Sequence, residues 1–284
     1  MSTLSRSVTY ARFHAPKAPD LAGEGEQTWI ARGANFVVVA SKVRAGVTLE
    51  RASQVDEHFV FLPDTSATIQ TDDERCEAGP ESLLIVPPGS CRITAHGDGL
   101  VVRIFSHLAS DLAALASNHA QYADGAPEVA PLTPWPEPPG GYRLRHYRLA
   151  EHGAPDSNMR IFRSTNLMVN ALQKRPVPRD PTRLSPHSHG DFEQGSLAVS
   201  GIYVHHCRYP WAADSTAWRD DEHVELGSPS LMVVPPGVIH TSRNVGDDTG
   251  WLIDIFAPPR VDFSLRPGLV CNADEYPLPA GLQA

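Results

Sequence analysis

The sequence predicts an all-β protein built as two small barrels or sandwiches in tandem, on three observations. The apolar runs are short, β-branched and closed by turn residues: NFVVVAS, LLIVPPG, LVVRIFS, LMVVPPG and WLIDIFA, in a chain with 26 prolines and 21 glycines. Runs of this length and composition read as strands. The chain also repeats itself, since GPESLLIVPPG from Gly79 and GSPSLMVVPPG from Gly227 match at seven of eleven positions without a gap, each followed by a strand carrying Ile-Phe. Between the copies lies DGAPEVAPLTPWPEPPGG, Asp124–Gly141, too rich in proline for the interior of a strand or helix. The expected division is a first barrel over 1–125, a linker over 126–141 and a second barrel over 142–284.

One helix interrupts the strands. In SHLASDLAALASNH, Leu108, Leu112 and Leu115 recur at helical spacing behind Ser106, a capping residue type, so a short helix is expected between the barrels.

Composition narrows the function. With 41% hydrophobic and 20% charged residues the chain is an ordinary globular protein, long enough for one or two cores. A net charge of −9 without a block of Lys or Arg argues against nucleic acid and in favour of a small-molecule partner. No run approaches the roughly 20 apolar residues of a membrane span, and the first residues lack a signal-peptide core, so a soluble cytoplasmic protein is expected. Cys76, Cys91, Cys207 and Cys271 are scattered without a CxxC pair, which fits reduced thiols.

The chemistry concentrates in SPHSHGDFEQG, Ser185–Gly195. In a strand, His187 and His189 project to the same side; after a three-residue turn, GDF, Glu193 on the next strand returns beside them. Directly after the second VPPG comes VIHTSRN, which supplies His240.

This pattern resembles the two motifs of the cupin superfamily. The first is His187, His189, Glu193 and Gly201; the second is Gly227, the Pro235-Pro236-Gly237 turn, His240 and Asn244. Gly201 and Gly227 stand one or two positions farther out than the family pattern. The duplication extends the likeness to most of the chain, which is thereby similar to a bicupin: two cupin-type jelly-roll β-barrels with a short helix between them. The resemblance implies one divalent transition metal held by His187, His189, Glu193 and His240. Fe(II) is the expected ion, with Mn, Ni, Cu or Zn compatible with the same donors.

The first copy lacks that set. Arg92 stands at the sequence position of His240 and His96 at that of Asn244, and aligning Glu57 with Glu193 puts Arg51 and Ser53 in place of the paired histidines. The metal is therefore expected only in the second barrel, and the first is expected to be structural, with an old ligand pocket put to another use as the alternative.

Around the metal, alternation along IYVHHCRY places Tyr203, His205 and Cys207 on one face, and Asp254 is a carboxylate in an apolar strand; Tyr203, His205 and Asp254 are the candidate catalytic groups. Arg183, two alternations before His187, is a candidate for an anionic substrate, and Trp218 in the polar insertion ADSTAWRDDEH a candidate lid residue. The resemblance implies an enzyme acting on a small polar or anionic molecule. Dioxygenase chemistry is slightly favoured over a metal-dependent isomerase or lyase, and a non-catalytic binding cupin is the reading from another class. Because fused barrels already supply the pairing of single cupins, a monomer or homodimer is expected.

Overall fold

The computed structural model describes residues 6–154 and 156–282. In the first half, a seven-stranded sheet runs in the order Arg145–Arg148, Ser82–Val86, His58–Leu62, Gly99–Ser106, Phe36–Val43, Glu26–Arg32, Leu21–Gly23. It faces a four-stranded sheet of Thr48–Gln54, Gly89–Ala95, Ala67–Thr71 and Arg75–Ala78. In the second half, a six-stranded sheet (Thr9–Arg12, Ser230–Val234, Gln194–Ser200, Trp251–Phe256, Met168–Ala171, Ile161–Arg163) faces a three-stranded one (Glu222–Leu226, Tyr203–Arg208, Ile239–Asn244).

Two strands cross between the halves, and they do so symmetrically. Thr9–Arg12, from the start of the chain, pairs with the second copy of the repeat, Arg12 opposite Ser230. Arg145–Arg148, from beyond the linker, pairs with the first copy, Arg148 opposite Ser82. Each barrel thus has one sheet edge closed by the other half of the sequence, which removes an exposed strand edge from each.

This interlock explains why the strand runs are apolar throughout instead of alternating. In His58–Leu62, Val60 and Leu62 turn into the first barrel, where they pack with Leu49, Ile69 and Ile93 of the facing sheet. Phe59 and Phe61 turn the other way, into a core shared by both halves with Phe36, Phe162, Leu197 and Trp251. Phe61 meets Trp251 edge-on at 5.1 Å between ring centroids. Both faces of the strand exclude water, so both parities are hydrophobic. Truncating either ring to alanine removes about 3–5 kcal/mol, since the cavity left between two sheets closes poorly.

The helix forms at the expected place but with a different face inward. It spans Ser110–Leu115, and Ser106 Oγ accepts from the Leu108 amide instead of capping it. Leu108 and Leu115 are exposed; Ala109, Ala113 and Ala116 pack on Ile30, Val37, Val39 and Phe105. The helix plugs the end of the first barrel so closely that the alanine stripe, not the leucine one, fits. The proline-rich linker is laid onto the second half, with Trp135 buried, its amide donating to Thr165 O at 2.8 Å and its ring under Arg163. Among the described residues, no helix is long and apolar enough to cross a membrane, and the four cysteines are free thiols.

Candidate metal centre

His187 and His240 lie on neighbouring chain segments joined by a two-hydrogen-bond bridge, His187 N to His240 O at 3.1 Å and the reverse at 2.8 Å. His189 is two residues along on the same side. One ring nitrogen from each of His187, His189 and His240 lies within 4.8 Å of the others, the one such group of three metal-ligating side chains among the described residues. His189 and His240 are buried, and His187 stands at the exposed rim.

The protonation pattern suits a cation. His187 Nδ1 is 2.9 Å from Ser185 O, and His240 Nδ1 is 3.0 Å from Val238 O. A carbonyl only accepts, so each Nδ1 carries the hydrogen and each Nε2 presents a lone pair, the orienting arrangement found behind metal-bound imidazoles. His240 Nε2 is buried with no partner of its own, an orphan that a metal would satisfy. Burial holds the imidazolium form of His189 down to about 3 and of His240 to about 4, so both rings are neutral near neutral pH; His189 Nε2 carries its hydrogen toward the amide oxygen of Gln194, which leaves the lone pair of that ring on Nδ1.

Glu193 does not join this group, a correction to the expected ligand set. Its carboxylate turns to the opposite side of the sheet, into the contact between the halves. There it accepts from the Ala34 amide and from Tyr122 OH at 3.1 Å, and lies 3.8 Å from the Arg6 guanidinium. Gly33 makes room for it, because a Cβ on that residue would stand 2.8 Å from Glu193 Oε2. Burial pushes the Glu193 carboxyl up, partly countered by these donors.

Neighbouring residues on a strand face opposite ways, so one residue of turn length decides between Glu193 and Gln194. The chain uses the longer turn, with Phe192 stacked on His189 at 4.5 Å, and Gln194 faces the histidines. Its amide nitrogen donates to Ser196 Oγ (2.9 Å) and Asp254 Oδ1 (3.0 Å), which aims Oε1 at His189 Nε2, 2.8 Å away. The sequence held the clue. Counted from Glu193, Gly201 stands one position too far out; counted from Gln194, it falls into place.

His187, His240, Gln194 and Ser196 form one wall of a cavity of about 230 Å³, with His189 behind Gln194; the cavity is lined also by Tyr203, Asn244, Asp254, Arg175, Arg179 and Arg260. At about 30 Å³ per water it has the volume of seven or eight waters. Asp254 is the one carboxylate on its wall among the described residues; burial pushes its acid up to about 6. Arg260 is paired with Asp262 just outside the wall, which leaves Arg175 and Arg179 against Asp254, a small positive excess in a chain of net charge −9.

The other expected site residues divide. Tyr203 and Asp254 line the cavity. Tyr203, His205 and Cys207 do turn inward together, but His205 sits behind the wall, with Nδ1 2.8 Å from Ser242 Oγ. Arg183 is exposed and away from the wall, touching it only through its carbonyl, which accepts from Arg179. Trp218 lies on the outer surface, stacked on Trp211 at 4.3 Å with its indole N–H on Ala212 O, and is not a lid over this cavity. The arginines that do line it were missed because alternation counted back from His187 presumes a strand. Pro176, Pro178 and Pro181 make that segment a loop. Arg175 is placed by a bridge to Gly250, and Arg179 by its amide on Asn244 O and its guanidinium on Ser242 O.

No family model and no curated protein matches the sequence. Solved structures do match in fold. A Bacillus subtilis oxalate decarboxylase aligns over 94% of this chain and 83% of its own at 16% identity and TM-score 0.59. A formate complex of the Lactobacillus farciminis oxalate decarboxylase aligns over 92% and 87% at 15% and 0.56. AerE from Microcystis aeruginosa aligns over 90% and 99% at 7% and 0.55. Mn(II) centres are described in the B. subtilis enzyme. The oxalate decarboxylases are bicupins, and this chain has the bicupin fold.

Proposed function

We propose that the second barrel is a metal-dependent lyase or isomerase site for a small carboxylate. The observation that carries this reading is the convergence of three imidazoles, two of which, His187 and His240, stand on the wall of a cavity lined also by three arginines and the Asp254 carboxylate. The neighbours named above are decarboxylases, so the expectation of a dioxygenase, and with it Fe(II) as first choice, finds no support; Mn(II), named for one of them, is the ion to test first.

His187, His189 and His240 would hold the ion, with Gln194 Oε1 the oxygen donor facing the same space. When bound, the metal supplies a Lewis acid that polarises a carboxylate or carbonyl oxygen. The chain supplies the rest. Arg175, Arg179 and Arg260 give charge-assisted hydrogen bonds that orient an anion and set its reacting carbon toward the histidine wall. Asp254 is held by Ser196 Oγ at 3.1 Å and by Gln194, leaving one oxygen free to hold a proton on the cavity side. Tyr203, whose phenol burial keeps protonated, acts as a hydrogen-bond donor.

The test is elemental analysis of protein purified without added metal, followed by assays for carbon dioxide release or isomerisation with oxalate and with larger hydroxy and keto acids. Close to one bound ion per chain and turnover independent of oxygen support the proposal. Oxygen-dependent turnover, or acid binding with no turnover under any metal, overturns it.

A further inference from the structure

Strand pairing allows the first barrel to be overlaid on the second residue by residue. His58 is opposite Val86 as Gln194 is opposite Val234, and Arg103 is opposite Val60 as Asp254 is opposite Ser196. A register shift between Gly89 and Cys91 brings Cys91, not Arg92, to the inward position of His240, and Arg51 is opposite Cys91 as His187 is opposite His240. Where the second barrel carries His187, Gln194 and Asp254, the first therefore carries Arg51, His58 and Arg103. A cation-binding wall has been replaced by a cationic one.

The replaced wall is enclosed and unsatisfied. Arg103 is 8% exposed and His58 0%. Arg103 Nε and both ring nitrogens of His58 are buried without a hydrogen-bond partner. The guanidinium reaches Ser41 Oγ at 3.3 Å, which meets Thr28 Oγ1 at 2.7 Å, which donates to Glu26 at 2.6 Å. A carboxylate is thus present only beyond two hydroxyls, and none pairs directly with Arg103 among the described residues. Arg51 closes the mouth, bidentate on Asp111 of the plugging helix. Apolar clusters lie on both sides, Val60, Leu62 and Val101 on one and Ile30, Val39 and Phe105 on the other. A buried cation in such surroundings calls for a partner, since an uncompensated one costs several kcal/mol.

We propose that the first barrel encloses a small monovalent anion, a halide or a formate-sized carboxylate, between Arg103 and His58. Arg103 donates from Nε and neutral His58 from one ring N–H. Burial, with Arg103 and Arg51 adding to it, keeps His58 neutral by holding its imidazolium form down to about 3. The site is independent of the metal centre proposed above.

The test uses the full chain. In melts where chloride replaces gluconate at constant ionic strength, the wild type gains about 2–3 °C per tenfold chloride once the site begins to fill. Arg103→Met loses that dependence and, freed of a buried charge, melts above the wild type in gluconate. His58→Leu also loses the dependence, and metal content is unchanged in both. A formate series separates the two ligand classes: a gain with formate and none with chloride assigns the carboxylate, and the reverse assigns the halide. In crystals grown with bromide, an anomalous peak between Arg103 and His58 supports the halide without any variant. The proposal is overturned if the wild type responds to neither anion or if Arg103→Met and His58→Leu respond as the wild type does.

Discussion

The two halves share one glutamate and part company one residue later. Glu193 accepts from the Ala34 amide and Tyr122 OH beside Arg6; Glu57 accepts from the Thr165 amide and Tyr276 OH beside Arg145. Behind each stands the same brace, Asn118 exchanging two hydrogen bonds with the Arg32 backbone and Asn272 two with that of Arg163. Each half therefore grips the other's backbone with a buried carboxylate, in duplicate. The next residue on the strand faces the barrel interior, and there the halves differ: Gln194 looks onto three histidines and an open polar cavity, His58 onto a closed interior with Arg103. Joining the halves fixed one face of this strand, and the opposite face was left free to differ between the copies.

The largest effect that would break this comparison lies in the second barrel. His240→Ala should lower metal affinity by at least about 100-fold and activity with it, read by metal analysis after dialysis. Arg92→Ala, the equivalent by sequence alignment, should leave both unchanged, because Arg92 points outward to Glu50. Arg175→Met should weaken binding of the anionic substrate about 10–100-fold while metal content holds, read as KM against metal stoichiometry.

Glu193→Ala and Glu57→Ala sharpen the comparison from the shared side. Each leaves a buried amide and a tyrosine hydroxyl unpaired and should cost about 2–3 kcal/mol in denaturant unfolding, with metal content unchanged in both. Loss of the metal in Glu193→Ala alone would restore the glutamate to the ligand set.

Acid should act on both halves. His58 and His189 are held to about 3 and His240 to about 4, against 6.5 for an unconstrained histidine. Below 6.5 the unfolded chain takes up protons that the fold refuses, so stability present above that pH is lost progressively as pH falls toward 4. Added metal should offset part of that loss in the wild type and none of it in His240→Ala, measured by melting across the series. The smallest effects belong to Arg183→Ala and Trp218→Ala, surface changes expected to stay within about 0.5 kcal/mol in stability and about two-fold in activity.

The all-β bicupin architecture could be read from the short β-branched runs and the repeat, and within it the site could be read only where its determinants are local. The HxH pair and the histidine after Pro-Pro-Gly are set by two-residue alternation and one tight turn, and both survived folding. Glu193 failed because a single residue of turn length inverts a strand's faces, and Phe192 packing on His189 settles that length through tertiary contact. The strand exchange between halves was illegible because Thr9–Arg12 finds its partner more than two hundred residues away. Arg175, Arg179 and Arg260 were illegible because loops carry no periodicity from which a direction follows.

The central claim is that the three histidines, with Gln194 and not Glu193, surround a metal ion in the second barrel alone. Anomalous diffraction at the manganese edge from Mn(II)-loaded crystals tests it most directly. The account predicts one peak, in contact with His187, His189 and His240 and on the Gln194 side of the strand. A peak on the Glu193 side, a second ion in the first barrel, or no ion at the three histidines would contradict it.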